Sequence, residues 1–292
     1  MRPLLGTFVE VTAHAHSDEQ ANAALAAAFA RIEQAHALWS FHDPASELSR
    51  LNGAAGVPVA LTPVTVRLLR LARALTRRSG GLFNCTVGGA LVLQGVLPDH
   101  GGGLLPDHGR FMLAAGCADD IDLFPGGAML RRPVRITLDG IAKGYAIDLA
   151  LSAMRRAGAL AGSINAGGDV AAFGDITVAL QRRELDGQLT PLGALRNAAL
   201  ASSRVGARDD DFPACLIGPA GHAPAPGIWS VMARSAWRAD ALTKVAANAP
   251  AATRAQLVRE LGGALILPPV IPPGCSPVFP PQSTLSPESA CA

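Results

Sequence analysis

Apolar and polar residues alternate over residues 8–13, the period of a half-buried strand. From Asp18 to Leu38 the period changes to that of a helix. Ala21, Leu25, Ala28, Phe29, Ile32, Ala35 and Leu38 form the apolar stripe, and Ser17 or Asp18 is placed to cap it. Pro44 interrupts any continuation, and Ser46-Glu47 reads as a new helix start that Asn52-Gly53 ends. A further helix is predicted over residues 62–79, with Pro63 in its first turn and Leu68, Leu69, Leu71, Ala72 and Leu75 facing inward. Arg67, Arg70, Arg73, Arg77 and Arg78 fall mainly on its other side, as a solvated face does. A glycine-bracketed stretch, residues 80–89, precedes an apolar segment at 90–96.

The most informative pattern begins near residue 135. Residues 135–138 read as a short strand, Asp139-Gly140 as a turn, and residues 143–157 as a helix with Ala146, Leu149, Ala150, Ala153 and Met154 on one face. Gly158 and Gly162 close that helix, and residues 163–166 return as a strand before Gly167-Gly168. A strand, a glycine turn and a helix start aim backbone N–H groups at an anion, and Lys143 adds a point charge there. Such turns are also ordinary structural corners. Downstream, residues 174–201 read as strands and turns, clearest at 176–180, and Gly218-Pro-Ala-Gly221 reads as a turn. Residues 229–233 read as a strand, a helix starts near Asp240 and stops before Pro250, and a last helix covers residues 252–261. The proline-rich segment 268–292 has no periodicity and is expected to be a disordered tail beyond a folded domain of residues 1–267.

Composition narrows the class. With 49% hydrophobic and 16% charged residues in 292, the chain is globular, and a net charge of +2 without basic–aromatic clusters argues against nucleic acid. The five cysteines have no CxxC spacing, which disfavours a zinc site and a complete disulfide framework. No apolar run is long enough to span a membrane. The strand pattern begins so early that no signal peptide fits, so the expectation is a cytoplasmic protein, or a periplasmic one whose exported leader is missing from this sequence. Leu97-Pro-Asp-His100 is echoed by Leu105-Pro-Asp-His108; a metal site from Asp99, His100, Asp107 and His108 competes there with a duplicated surface loop.

Asp240, Thr243 and Lys244 share a helix face at i, i+3 and i+4, so the carboxylate and hydroxyl can converge on one hard cation such as Mg²⁺. The alternative is an Asp kept near a helix start by capping and the dipole.

Six stretches in this order resemble the ApbE family, the FAD:protein FMN transferases. They are Leu5-Gly-Thr7, the segment Ser40 to Asn52, Gly81 to Gly88, Gly140-Ile-Ala-Lys-Gly-Tyr-Ala-Ile-Asp148 with Asn165-Ala-Gly-Gly-Asp169, Ala201-Ser-Ser203 and Ala239-Asp-Ala-Leu242. The resemblance covers about residues 4–265. It implies a mixed α/β fold of two halves with FAD in the cleft between them. It also implies Mg²⁺ on the pyrophosphate and transfer of FMN onto a Ser or Thr hydroxyl of an acceptor flavoprotein, with release of AMP. Carried over by position, Leu5, His42, Leu82, Phe83, Asn84, Thr137, Asp139, Lys143, Gly167, Gly168 and Ile217 would line the FAD site. Gly140 through its carbonyl, Asp240 and Thr243 would hold the metal, and Lys143 and Asp240 would be the catalytic residues.

This sequence departs from the family at several of these positions. Lys244 stands where the family has a Thr ligand, Cys215 and Gly218 replace a His and an Asp, His42 replaces Tyr, and Asn84 and Thr137 replace Asp. Two alternatives follow: an FAD-binding protein impaired in catalysis, and a pyrophosphatase that splits FAD to FMN and AMP.

Overall fold

The computed structural model describes residues 1–54, 56–100, 113–206, 215–219 and 222–266. The expected tail, and with it Asp107 and His108, lie outside the described residues.

The chain opens with a hairpin of β1 (Arg2–Leu4) and β2 (Thr7–His14), followed by α1 (Asp18–Trp39). Ser17 caps α1 by accepting a hydrogen bond from the Gln20 N–H. The buried stripe of α1 is Ala24, Ala28, Phe29, Ile32, Ala35 and Trp39, so it runs slightly to one side of the expected one. Next come α2 (Glu47–Gly53), β3 (Val59–Ala60), α3 (Pro63–Arg78), α4 (Gly88–Leu93), β4 (Ile121–Phe124) and β5 (Gly127–Leu130). Helix α5 (Ala142–Arg156) leads into β6 (Ala161–Ala166), β7 (Asp169–Phe173), β8 (Val178–Arg183), β9 (Leu189–Leu195), β10 (Ala199–Val205) and β11 (Gly227–Ala233). Helices α6 (Ala236–Asn248) and α7 (Arg254–Glu260) and strand β12 (Gly263–Ile266) complete the described order.

The fold is mixed α/β, as expected. Seven strands form an antiparallel sheet in the order β1-β2-β6-β7-β10-β11-β12, and β3-β5-β4 and β8-β9 form smaller sheets. One core lies between the large sheet (Val9, Ile164, Ala171, Phe173) and helices α1, α5 and α6. A second gathers α2, α3, the small sheet and the inner faces of α5, α6 and α7 around Leu48, Leu69, Ile136, Tyr145 and Leu242. The β8-β9 hairpin covers the far side of β7 through Leu180 and Leu195, which is why every residue of β7 is buried. Arg67, Arg70, Arg77 and Arg78 are exposed on α3, consistent with a solvated face.

Two expectations are corrected. Residues 135–138 belong to no sheet: the Asn52 side chain donates to the Ile136 carbonyl (2.8 Å) and accepts its N–H (2.7 Å), while Thr137 N–H donates to the Cys85 carbonyl. A side chain 84 residues away does the work of a neighbouring strand. Helix α6 starts at Ala236, four residues before Asp240, so Asp240 lies in the second turn and caps nothing in its own helix.

Candidate functional site

The site is built where the start of α5 meets α6. Each helix is capped by a carboxylate of the other. Asp240 Oδ2 accepts the Gly144 N–H in the first turn of α5 at 3.0 Å. In return, Asp148 accepts the N–H groups of Ala236 and Trp237 at 2.8 and 2.9 Å. The helices approach so closely that a Cβ on Gly144 would lie 2.3 Å from the Ala236 carbonyl oxygen, so only glycine fits. The sequence pattern placed an anion at this helix start, and the structure supplies one from within: the Asp240 carboxylate.

Asp240 is 1% exposed, and its second oxygen is also engaged. Lys244 Nζ, one turn along α6, lies 2.5 Å from Oδ1 and 3.1 Å from the Asp240 carbonyl. The Lys244 stem runs past Gly140, whose absent Cβ would lie 3.5 Å from Lys244 Cε and 3.3 Å from the Phe83 ring. Lys143, the second residue of α5, pairs with Asp169 at 3.0 Å. Burial pulls the Lys143 ammonium down, but the Asp169 and Asp240 carboxylates more than offset this, so it is held charged above the ordinary lysine value. Asp169 begins β7 directly after the Gly167-Gly168 turn, and its other oxygen accepts the Ser202 N–H at 3.2 Å.

Gly140, Phe83, Lys143 and Asp240 are thus brought together with Lys244 and Asp169. Thr137 is buried and donates to the solvent-accessible Asp139 at 3.1 Å. His42 is exposed and within electrostatic reach of Asp139. Leu82 and Ile217 are joined through Asn248 at the end of α6, whose Nδ2 donates to the Leu82 carbonyl at 2.7 Å and to the Ile217 carbonyl at 3.4 Å. Leu5 and Gly6 form the β1-β2 turn with φ of 54° and 71°. Leucine there is strained and is retained by packing against both cores.

Three of the expected site residues have partners within this chain. Asn84 accepts from the Thr86 N–H and hydroxyl and donates to the Gly116 carbonyl, shaping its own loop. The space beside Gly167 is taken by Thr7 Oγ1, 2.4 Å from where a Cβ would stand, so its close neighbour is a side chain of this protein. Thr243 is fully buried; its hydroxyl donates to the Asp240 carbonyl and lies 2.7 Å from Ser203 Oγ. The sequence pattern assigns no site role to Asp148, Asn248 or Asn52, whose partners are distant in the chain. Asp99 pairs with Arg135, and His100 contacts the Phe41 carbonyl.

The ApbE family model matches residues 5–267. The chain belongs to the ApbE family. It is 35% identical over 178 residues to a FAD:protein FMN transferase of Rhodobacter capsulatus, a match covering 59% of this chain. The chain spans about a third (34%) of that curated relative's length. Among solved structures, the ApbE protein of Thermotoga maritima superposes with a TM-score of 0.71 at 20% identity, covering 90% of this chain and 91% of that one. The flavin transferase ApbE from Vibrio cholerae does so at 0.66 and 18% identity, covering 84% of each chain. These likenesses establish an ApbE fold.

The Mg²⁺ that the ApbE resemblance implies does not fit the residues as they stand. Both Asp240 carboxylate oxygens are engaged, one by a backbone N–H and one by an ammonium. The Thr243 hydroxyl is shared between Ser203 and a carbonyl. No group of three or more His, Cys, Asp or Glu residues that could hold a metal occurs among the described residues.

Proposed function

We propose that this ApbE chain is an FAD:protein FMN transferase. FAD is the substrate, a Ser or Thr hydroxyl of an acceptor flavoprotein receives FMN, and AMP leaves. The observation that carries the reading is the convergence of Lys143 and Lys244 on the start of α5, each beside a buried carboxylate. Two ammonium groups suit a pyrophosphate, whose transfer needs positioning and charge stabilisation more than covalent help from the protein. FAD would lie between the two halves, against Leu5, His42, Leu82, Phe83, Asn84, Thr137, Asp139, Gly167, Gly168 and Ile217.

In the transfer the acceptor hydroxyl oxygen bonds to the flavin-side phosphorus. The bridging P–O bond breaks with its electron pair going to the AMP phosphate, and the hydroxyl proton passes to solvent. Lys143, held charged between Asp169 and Asp240, meets charge developing on the leaving phosphate. No step is assigned to Mg²⁺.

Cys215 and Gly218, standing where the family has His and Asp, favour a second reading in which the chain holds FAD without chemistry. Purified protein is incubated with FAD and an acceptor peptide carrying a Thr target, and AMP and peptide-bound flavin are quantified. Equal amounts of both are expected. Bound FAD without AMP would establish the second reading, and AMP with free FMN in the absence of peptide would make the chain a pyrophosphatase.

A further inference from the structure

We propose that Lys244 is a tethered cation in the place of a divalent metal, so that this ApbE chain engages the FAD pyrophosphate without Mg²⁺. The inference rests on the flavin reading for its ligand and on geometry for its site. Lys244 already engages Asp240 with its ammonium and passes Gly140 with its stem, the two residues the resemblance assigns to the ion. Lys244 Cε lies 3.5 Å from the Gly140 Cβ position, and Nζ lies 2.5 Å from Asp240 Oδ1. The stem therefore lies within van der Waals range of the Gly140 position. Nζ also donates to the Asp240 carbonyl, so two of its three donors are oriented by protein oxygens. Among the described residues it has no third hydrogen-bond acceptor, and a phosphate oxygen can take that donor.

The Lys244 side chain is 17% exposed and its carboxylate partner 1%, so the pair is anchored on a buried group while part of the lysine side chain meets solvent. Thr243, the other oxygen on this helix face, points to Ser203, which removes the second ligand the ion would need. The charge arithmetic also changes. A lysine contributes one positive charge where Mg²⁺ contributes two, and it cannot dissociate.

The first test uses Mn²⁺ as the probe, read by its free-ion EPR signal and by the melting temperature of the protein without flavin. The wild-type protein should leave Mn²⁺ free and its melting temperature unchanged. Lys244→Thr should bind one Mn²⁺ at least tenfold more tightly than wild type and be stabilised by it, and adding Asp240→Asn should abolish that binding. Lys244→Gln, which keeps the length and offers an amide oxygen, serves if the threonine variant folds poorly. One Mn²⁺ bound by wild type and lost in Asp240→Asn would overturn the proposal, as would failure of both folded Lys244 variants to bind it.

The second arm measures FAD binding by flavin fluorescence in EDTA and in excess Mg²⁺. Affinities within twofold support the proposal, and a tenfold gain from Mg²⁺ overturns it. Absence of FAD binding in both conditions would sink the flavin reading, while the Mn²⁺ comparison would still decide the role of Lys244.

Discussion

Replacing Asp240 with alanine tests whether this carboxylate is a structural element as well as a site residue. In the wild-type protein its two oxygens hold the Gly144 N–H and the Lys244 ammonium, and it is 1% exposed. Asp240→Ala leaves a buried N–H unpaired, at about 1–3 kcal/mol. It also strands the ammonium, and removing one partner of a buried ion pair costs about 3–5 kcal/mol. Lys244 is 17% exposed and can turn its head towards water, so the second cost is discounted. The expected loss is about 3–5 kcal/mol in all, a fall of roughly 10 °C in melting temperature for a chain of this size. Adding Lys244→Met removes the stranded charge, so the double variant should recover about 1–2 kcal/mol. Urea unfolding followed by tryptophan fluorescence measures each step, with Trp237 reporting from α6 itself. An Asp240→Ala protein within 1 kcal/mol of wild type, or a double variant less stable than the single one, would refute the reasoning.

Burial pushes the Asp148 carboxyl up from 3.8 to about 6, against its hydrogen bonds from Trp237 and Ala236. The folded state therefore keeps a proton that the unfolded chain loses, and stability should fall by up to about 3 kcal/mol as pH rises from 4 to 6, then level off. Urea midpoints between pH 4 and 7 should show this slope, and Asp148→Asn should flatten it. Gly144→Ala drives a Cβ into the Ala236 carbonyl and should separate α5 from α6. A loss of more than about 3 kcal/mol is expected, and an unchanged melting curve would show that the helices can part cheaply. Asn52→Ala leaves the Ile136 N–H and carbonyl without their partner, at about 2–4 kcal/mol; amide exchange at Ile136 should accelerate by more than tenfold.

The local elements were legible because their causes are local. Ser17 caps α1 from three residues away, and Pro63 opens α3. The start of α6 was misplaced because the group that satisfies its first N–H groups is Asp148, 88 residues earlier. The segment at 135–138 reads as a strand because Ile136 and Thr137 are β-branched, but its partner is the Asn52 amide, which no strand pattern announces. The same limit applied at the site. Spacing showed that Asp240, Thr243 and Lys244 share a face, yet it could not show that Ser203 would claim the Thr243 hydroxyl. Nor could it show that Asp240 would spend one oxygen on α5. The ApbE motifs made the family readable, and the departures from them mark where the chemistry of this chain is its own.

The central position of α6 has a consequence for how the chain comes to be folded. Its Ala236 and Ala239 complete one core, and its Leu242, Val245 and Ala246 complete the other. During synthesis all of α1 to α5 and most of the large sheet emerge before it, so neither core can close until residues 236–246 have left the ribosome. Until then the apolar faces of α1, α3 and α5 wait uncovered. Maturation should therefore be a late docking event, and that interval is when a nascent chain of this architecture most needs a chaperone.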